Sequence, residues 1–343
     1  NSMDATKQIH SGKIFVDYNR SGNGLIRVKD EAQGMRLKKL EEVLVYGGEQ
    51  SSNYSGESNV RGIFGRGLKD AIIGLGLDGE VISVRDGYIN KVKIYSNKNE
   101  WSYDIERDEQ KVKREDLLKY EIPFQPGSHS HGTIVQVNFS DRIKKPRFDT
   151  IVEFIGNHFE MREIAEKREL IVRDVKILKK SGKVSVKKEK VINYIQPSGD
   201  EIYDEIFKTK KTKTTCHLKV RKTISPMDVP ADKGPYAPAG IIVKSQGVPL
   251  DNTLFSHDKR PVANLLFGTL EVDDIIPFAQ KNALSVLTPT RDGMNWKTEY
   301  MQDIQSAVSK ELNIVITKLE KQIKQSAEGS ISQKLKEKNN KAL

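Results

Sequence analysis

Four short groups of residues carry types suited to holding a nucleotide, and their order along the chain matters more than any one of them. Asp30-Glu31-Ala32-Gln33-Gly34-Met35 ends a run that alternates apolar and polar residues. A carboxylate at a strand end, here Asp30, can accept a hydrogen bond from an adenine amino group and so fix base identity. Gly34, beside Met35, lets the backbone pass close to a planar ring with no side chain between. Gly62-Ile63-Phe64-Gly65-Arg66-Gly67-Leu68-Lys69 follows, with glycines leading into a helix. Backbone N–H groups and the positive end of the helix dipole attract phosphate there, and Lys69 adds a formal charge. Asn1, followed by Asp4-Ala5, offers a neutral amide oxygen, the hard ligand type that Mg²⁺ takes beside phosphate oxygens and water. Gly132-Thr133, on a late strand, is a weaker fourth element. Each group alone has a plainer reading, since a Gly-x-Gly pair usually marks a turn and a strand ending in Asp then Gly a hairpin. Their occurrence in this order, on suitable elements, points to nucleotide binding.

The elements that must position these groups follow from periodicity. Residues 12–19 and 24–30 alternate as half-buried strands around a turn at 20–23, and 36–46 carry Leu37, Leu40, Val43 and Leu44 on one helical face. A Gly-, Ser- and Asn-rich loop spans 47–62, and a helix 65–75. Strands are predicted over 80–85, 88–95, 101–107 and 131–139, and one helix over 147–166. From 168 to 220 the chain is strand-like and lysine-rich, with 208–213 an exposed loop. A turn-rich insertion covers 226–238, strands and a short helix 240–290, and a long amphipathic helix 297–325. The tail 326–343 is polar, either frayed or further helix. The expected division is 1–165, 166–325 and 326–343.

With 343 residues, two domains are the natural expectation, and 36% hydrophobic against 30% charged residues indicates a soluble chain with two modest cores. No run of 18 apolar residues occurs, so no membrane partner is expected. Residues 1–10 lack the basic and apolar regions of a signal peptide, and native residues are expected upstream of Asn1. The single cysteine, Cys216, excludes an internal disulfide framework and a multi-cysteine zinc site. A reducing, cytoplasmic setting fits. Basic neighbours of Cys216 could lower its pKa, but no partner base is apparent. His129-x-His131 is read as a solvated pair before a metal site. A net charge of +10, from 57 basic and 47 acidic residues, suits a polyanionic partner such as DNA or RNA.

Taken together, the motifs resemble those of the GHKL ATPases, the superfamily of gyrase B, the heat-shock chaperone, histidine kinases and MutL, and are closest to MORC-like and MutL-like members. Asn1-Ser2-Met3-Asp4-Ala5 resembles the end of the family's first box, whose asparagine binds Mg²⁺. Asp30 to Met35 resembles the second box, with Ala32 in place of its first glycine, and puts the adenine-reading aspartate on Asp30. Gly62 to Lys69 resembles the third box in its MORC-like form, which makes 36–61 the ATP lid, and Gly132-Thr133 resembles the late Gly-Thr beside adenine. The resemblance implies a Bergerat-type α/β sandwich followed by a transducer-like α/β domain and a C-terminal helix. It implies binding and hydrolysis of ATP with Mg²⁺ in an ATP-gated homodimeric clamp, with DNA as the client. The general base, a glutamate four residues before the Mg²⁺ asparagine, would fall upstream of Asn1. In the second half, 240–243, 268–272 and 287–294 resemble a transducer. Arg291 is the first candidate for its γ-phosphate sensor and Lys281 the second, with a turn-capping role for Arg291 as the alternative.

Rival readings are a nucleotide-gated nucleic-acid-binding or scaffold protein without hydrolysis, and a sensor histidine kinase. The latter is disfavoured by the roughly 200 residues after Thr133. A chaperone is disfavoured too, because its long middle-domain features are not apparent.

Overall fold

The computed structural model describes residues 12–44, 67–76, 78–97, 100–125, 130–178, 183–282, 286 and 293–340. The first sheet begins as the alternation predicts. Strands β1 (Ile14–Asn19) and β2 (Leu25–Asp30) form an antiparallel hairpin. Its turn needs a left-handed residue, supplied by Gly22 at φ 62°. Helices α1 (Leu37–Leu44) and α2 (Gly67–Leu75) follow, then β3 (Asp78–Arg85), β4 (Tyr88–Asn97), β5 (Glu100–Lys111) and β6 (Gly132–Asn138). Helix α3 (Arg114–Tyr120) lies between β5 and β6 in a stretch too polar to announce itself. Asp116 caps its start by accepting the Lys113 N–H at 2.9 Å, and Glu121 at φ 53° ends it.

One helix was expected over 147–166; two are present, α4 (Phe148–Asn157) and α5 (Phe159–Lys167). His158 interrupts them, its Nδ1 accepting the Glu160 N–H at 3.3 Å as an N-cap would. Strands β7 (Leu170–Ile177) and β8 (Val184–Val191) complete a sheet of order β5-β4-β3-β6-β2-β1-β7-β8. Every neighbouring pair is antiparallel except β1 with β7. Leu40, Leu44 and Ile72 of α1 and α2 pack on Val81, Val92 and Val137 of one sheet face. Leu117 and Tyr120 of α3 cover Ile82, Val84, Ile89 and Ile134 on the other.

The second unit has its own sheet, built from β9 (Asp200–Lys208), β10 (Thr215–Lys222), β11 (Gly240–Ser245), β12 (Val248–Thr253) and β13 (Leu266–Glu271) in the order β12-β11-β13-β10-β9. Short helices α6 (Pro230–Lys233) and α7 (Ile275–Lys281) sit between strands, and α8 (Glu299–Asn340) runs past the expected end at 325. Met301, Ile304, Val308, Leu312, Val315 and Leu319 of α8 are buried at helical spacing. Of the exposed loop expected over 208–213, Lys208 instead ends β9 and Thr209 is buried, while Lys210, Lys211 and Lys213 are exposed. Their backbone is not loose, because Asp303 accepts the N–H groups of Lys211 at 3.0 Å and Thr212 at 2.7 Å.

The division of the chain falls later than 165. One compact unit runs to Gly156 and takes in Met161–Tyr194; the other holds Asn157–Glu160 and the chain from Ile195 onward. The reason is that β7 pairs with β1 and β8 with β7, so both strands finish the first sheet. Among the described residues, no helix is long and apolar enough to cross a membrane.

A buried ion group organises the first unit. Asp17 on β1 is fully buried and accepts from Arg27 Nε at 2.7 Å and Arg173 Nε at 2.6 Å. Glu121 closes the group on the other side, taking Arg27 Nη2 at 2.7 Å and Arg173 Nη2 at 2.8 Å. Lys29 joins through the Glu121 carbonyl at 2.7 Å, and burial holds its ammonium below the ordinary range.

Candidate functional site

Register places Asp30 and the late-strand residue Thr133 side by side. Asp30 on β2 lies opposite Thr133 on β6, Thr133 lies opposite Ser83 on β3, and Ser83 opposite Asn90 on β4. Residues directly opposite in a sheet point to the same face. The four polar side chains therefore form one row across four strands, on the face that carries α1 and α2. Asp30 is buried, and its Oδ1 accepts the Ala32 N–H at 3.1 Å, turning the chain off the strand.

After that turn Gly34 takes φ 66°, and a Cβ there would stand 1.9 Å from the Val84 carbonyl oxygen. The requirement for glycine is thus twofold: a left-handed backbone and contact with β3. Met35 is pinned beside it, its N–H donated to Ser83 Oγ at 2.7 Å and its carbonyl accepting Asn90 Nδ2 at 3.2 Å. Ser83 Oγ also lies 3.1 Å from Thr133 Oγ1. His131 Nδ1 donates to the Ala32 carbonyl at 2.6 Å, which spends this nitrogen on the turn. His129 lies outside the described residues. Among the described residues no group of three His, Cys, Asp or Glu is placed to hold a metal.

Of the glycine-rich motif, Gly62, Phe64, Gly65 and Arg66 lie outside the described residues, as does Asn1. Gly67 opens α2, and Leu68 packs against the Leu40 and Ile72 cluster. Lys69 is 2% exposed, and its Nζ donates at 2.9 Å to the carbonyl of Val43 in the last turn of α1, where a helix leaves carbonyls without internal partners. In the second unit Lys281 is the last residue of α7. Arg291 lies outside the described residues. The segment directly after it is held by Asp251, which accepts the Met294 N–H at 3.1 Å and Trp296 Nε1 at 2.8 Å. Cys216 is fully buried, and burial, with Asp303 and Asp274 nearby, pushes its thiol up to about 12. The lowered pKa considered from its basic neighbours is the reverse of what the fold imposes.

Sequence reasoning missed Ser83, Asn90 and the pair behind them. Asn90 Oδ1 accepts the Glu109 N–H at 2.8 Å, and the Glu109 carboxylate holds Arg36 Nε at 2.7 Å and Nη2 at 2.6 Å. The Arg36 guanidinium lies over the Tyr88 ring, 4.3 Å from its centroid. The only signal was that Ser83 interrupts the apolar run Val81-Ile82-Ser83-Val84; Asn90, followed by Lys91 and Lys93, gave none.

The Arg36 hydrogen bonds, with the Leu37 N–H, lower the Glu109 carboxyl from its ordinary 4.5 to about 2. A depressed acid contributes stability that is present above its unfolded pKa and lost as pH falls through the folded one. Acid titration should therefore release Arg36 between about pH 4.5 and 2. Thermal midpoints of wild type and Arg36→Gln should differ at pH 6 and converge near pH 2. A constant difference across that window would show that the pair does not titrate this way.

Residues 1–133 match the family described as histidine kinase-, DNA gyrase B- and HSP90-like ATPase. The match covers the stretch that carries the four motifs. No curated protein matches the chain. Among solved structures, the 43K ATPase domain of Thermus thermophilus gyrase B, determined in complex with an aminocoumarin, is similar at a TM-score of 0.38 and 10% identity. That likeness covers 98% of this chain and 89% of the other, and it is too loose to assign a role to any residue.

Proposed function

We propose that this chain is a Mg²⁺-dependent GHKL ATPase, closest to MORC-like and MutL-like members, that works as an ATP-gated dimerising clamp on DNA in genome maintenance or defence. The observation that carries the nucleotide reading is the pairing of Asp30 with Thr133 beside a Gly34 turn held against β3. In this reading the Asp30 carboxylate accepts the adenine amino group, and Gly34 and Met35 form the floor on which the base lies. The Thr133 hydroxyl joins the adenine-side hydrogen bonds. The glycine-rich motif residues Gly62, Phe64, Gly65, Arg66, Gly67 and Leu68 receive the phosphates, Gly67 and Leu68 from the start of α2. Lys69 braces that helix against α1. Asn1 is the motif position for Mg²⁺, which offsets phosphate charge. Arg291, or Lys281 as the second choice, senses the γ-phosphate from the second unit, so that bound ATP favours the closed, dimeric state.

Calorimetric titration with Mg-ATP tests the core of this reading. Asp30→Asn keeps the shape and removes the charged acceptor, and it should weaken ATP binding by about 100-fold, or roughly 2.7 kcal/mol. Unchanged affinity would remove the adenine assignment. The DNA client rests on the net charge of +10 and on exposed Lys187 and Lys190 on the edge strand β8, with exposed Lys183 just before it. DNA affinity should fall steeply with salt concentration, as release of condensed counterions requires, and a flat response would remove DNA as the client.

A further inference from the structure

We infer that Ser83, with Asn90 behind it, is a positioning residue that sets the direction of hydrogen bonding in the row, so that adenine is preferred over guanine. This inference rests on the nucleotide reading above. A serine hydroxyl has one hydrogen and two lone pairs. The Met35 N–H can only donate, and at 2.7 Å it occupies a lone pair of Ser83 Oγ. The Ser83 hydrogen must then go elsewhere, and its two acceptors are Thr133 Oγ1 at 3.1 Å and the Gly132 carbonyl at 3.4 Å. With the Ser83 hydrogen assigned to the shorter contact, Thr133 accepts on its Ser83 side and donates its own hydrogen away from β3.

Asp30 lies opposite Thr133 on the other flank of the row and, when ionised, is acceptor-only. The row thus presents a donor next to an acceptor. Adenine offers the complement on its Watson–Crick edge, a ring-nitrogen acceptor beside an amino donor. Guanine offers a carbonyl acceptor and a ring N–H in the reverse order, and would leave buried polar groups unpaired, which is where large discrimination arises. Asn90 holds the other end of the Met35 peptide through its carbonyl at 3.2 Å. Its Oδ1 is in turn occupied by the Glu109 N–H at 2.8 Å, so its amide cannot flip without losing both bonds. Ser83 and Asn90 are both fully buried, so water does not compete for these bonds.

The test uses the full chain and three Mg²⁺-loaded probes, ATP, GTP and tripolyphosphate, titrated by calorimetry, together with amide exchange at Met35 followed by NMR. Ser83→Ala should raise Met35 exchange at least tenfold and weaken ATP about tenfold. It should narrow the ATP-to-GTP preference by a similar factor, and leave tripolyphosphate unchanged. Asn90→Ala should reproduce the exchange and ATP effects, and Ser83→Thr, which keeps the hydroxyl, should restore wild-type behaviour. If wild type binds ATP and Asp30→Asn loses it, but Ser83→Ala keeps both affinity and base preference, the positioning role is wrong. An equal loss for ATP and tripolyphosphate would also overturn it, since that indicates general loosening. Absence of ATP binding by wild type, or a neutral Asp30→Asn, would instead bring down the nucleotide reading and this inference with it.

Discussion

Asp17→Asn should lower the unfolding free energy of the first unit by about 3–5 kcal/mol, the cost of leaving a buried ion group short of one partner. Asparagine has nearly the same shape, so the loss is one of charge and not of packing. Two guanidiniums, Arg27 and Arg173, would then share only Glu121, while Lys29 stays nearby. Domains of this size have total stabilities of about 5–15 kcal/mol, so the variant should unfold at much lower urea concentration. Asp149→Asn is the fitting control. It breaks the Lys188 pair, whose side chains are 54% and 80% exposed, and should change stability by less than about 1 kcal/mol. Equal shifts in urea midpoint for the two variants would show that burial does not set the worth of the Asp17 group.

Gly34→Ala should be the most damaging single-carbon addition to the candidate site. The left-handed backbone costs an L-residue about 1–2 kcal/mol. The steric clash costs more, because the new carbon would stand 1.9 Å from a backbone oxygen that belongs to β3 and cannot swing away. Relief requires the turn to leave the strand, which breaks the Met35 bond to Ser83. Affinity for ATP should fall by about 100-fold or more, and stability by about 2–4 kcal/mol. Gly22→Ala separates the two causes. Gly22 has a similar φ of 62°, but a Cβ there meets nothing within 4 Å. That variant should lose only the backbone cost and bind ATP normally. If Gly34→Ala binds ATP as tightly as Gly22→Ala does, close approach to β3 is not what the glycine serves.

The legible parts of the site were those with a local signature. Asp30 and Gly34 stand within five residues of each other at a strand end, and Gly132-Thr133 begins a strand of clear alternation, so residue type and position coincide. Ser83 and Asn90 were not legible, because their role arises from register between β6, β3 and β4. A serine inside the run Val81–Val84, or an asparagine beside Lys91 in a strand of mixed polarity, looks the same with or without such neighbours. Helix α3 was hidden for a related reason: Leu117 and Tyr120 suffice to bury it, too few for a periodic signal. The boundary was misplaced at 165 because the parallel pairing of β7 with β1 is a long-range choice that leaves no local trace. Burial of Cys216 likewise reversed the pKa direction that its basic neighbours suggested.

The parallel pairing of β1 with β7 also bears on how this chain acquires its structure during synthesis. Arg173 must travel 156 residues of sequence to reach Asp17. Until β7 leaves the ribosome, β1 has an open edge, and the Asp17 and Arg27 charges have no second guanidinium to close their group. At about 5–20 residues per second, the roughly 140 residues between β2 and β7 take about 7–28 s to emerge. The hairpin β1–β2 can form early, but the first unit cannot close before its C-terminal strands arrive. Contacts this distant in sequence slow folding and expose a strand edge meanwhile. A nascent chain halted before Leu170 should therefore be digested readily by protease, and one halted well past Val191 should resist it.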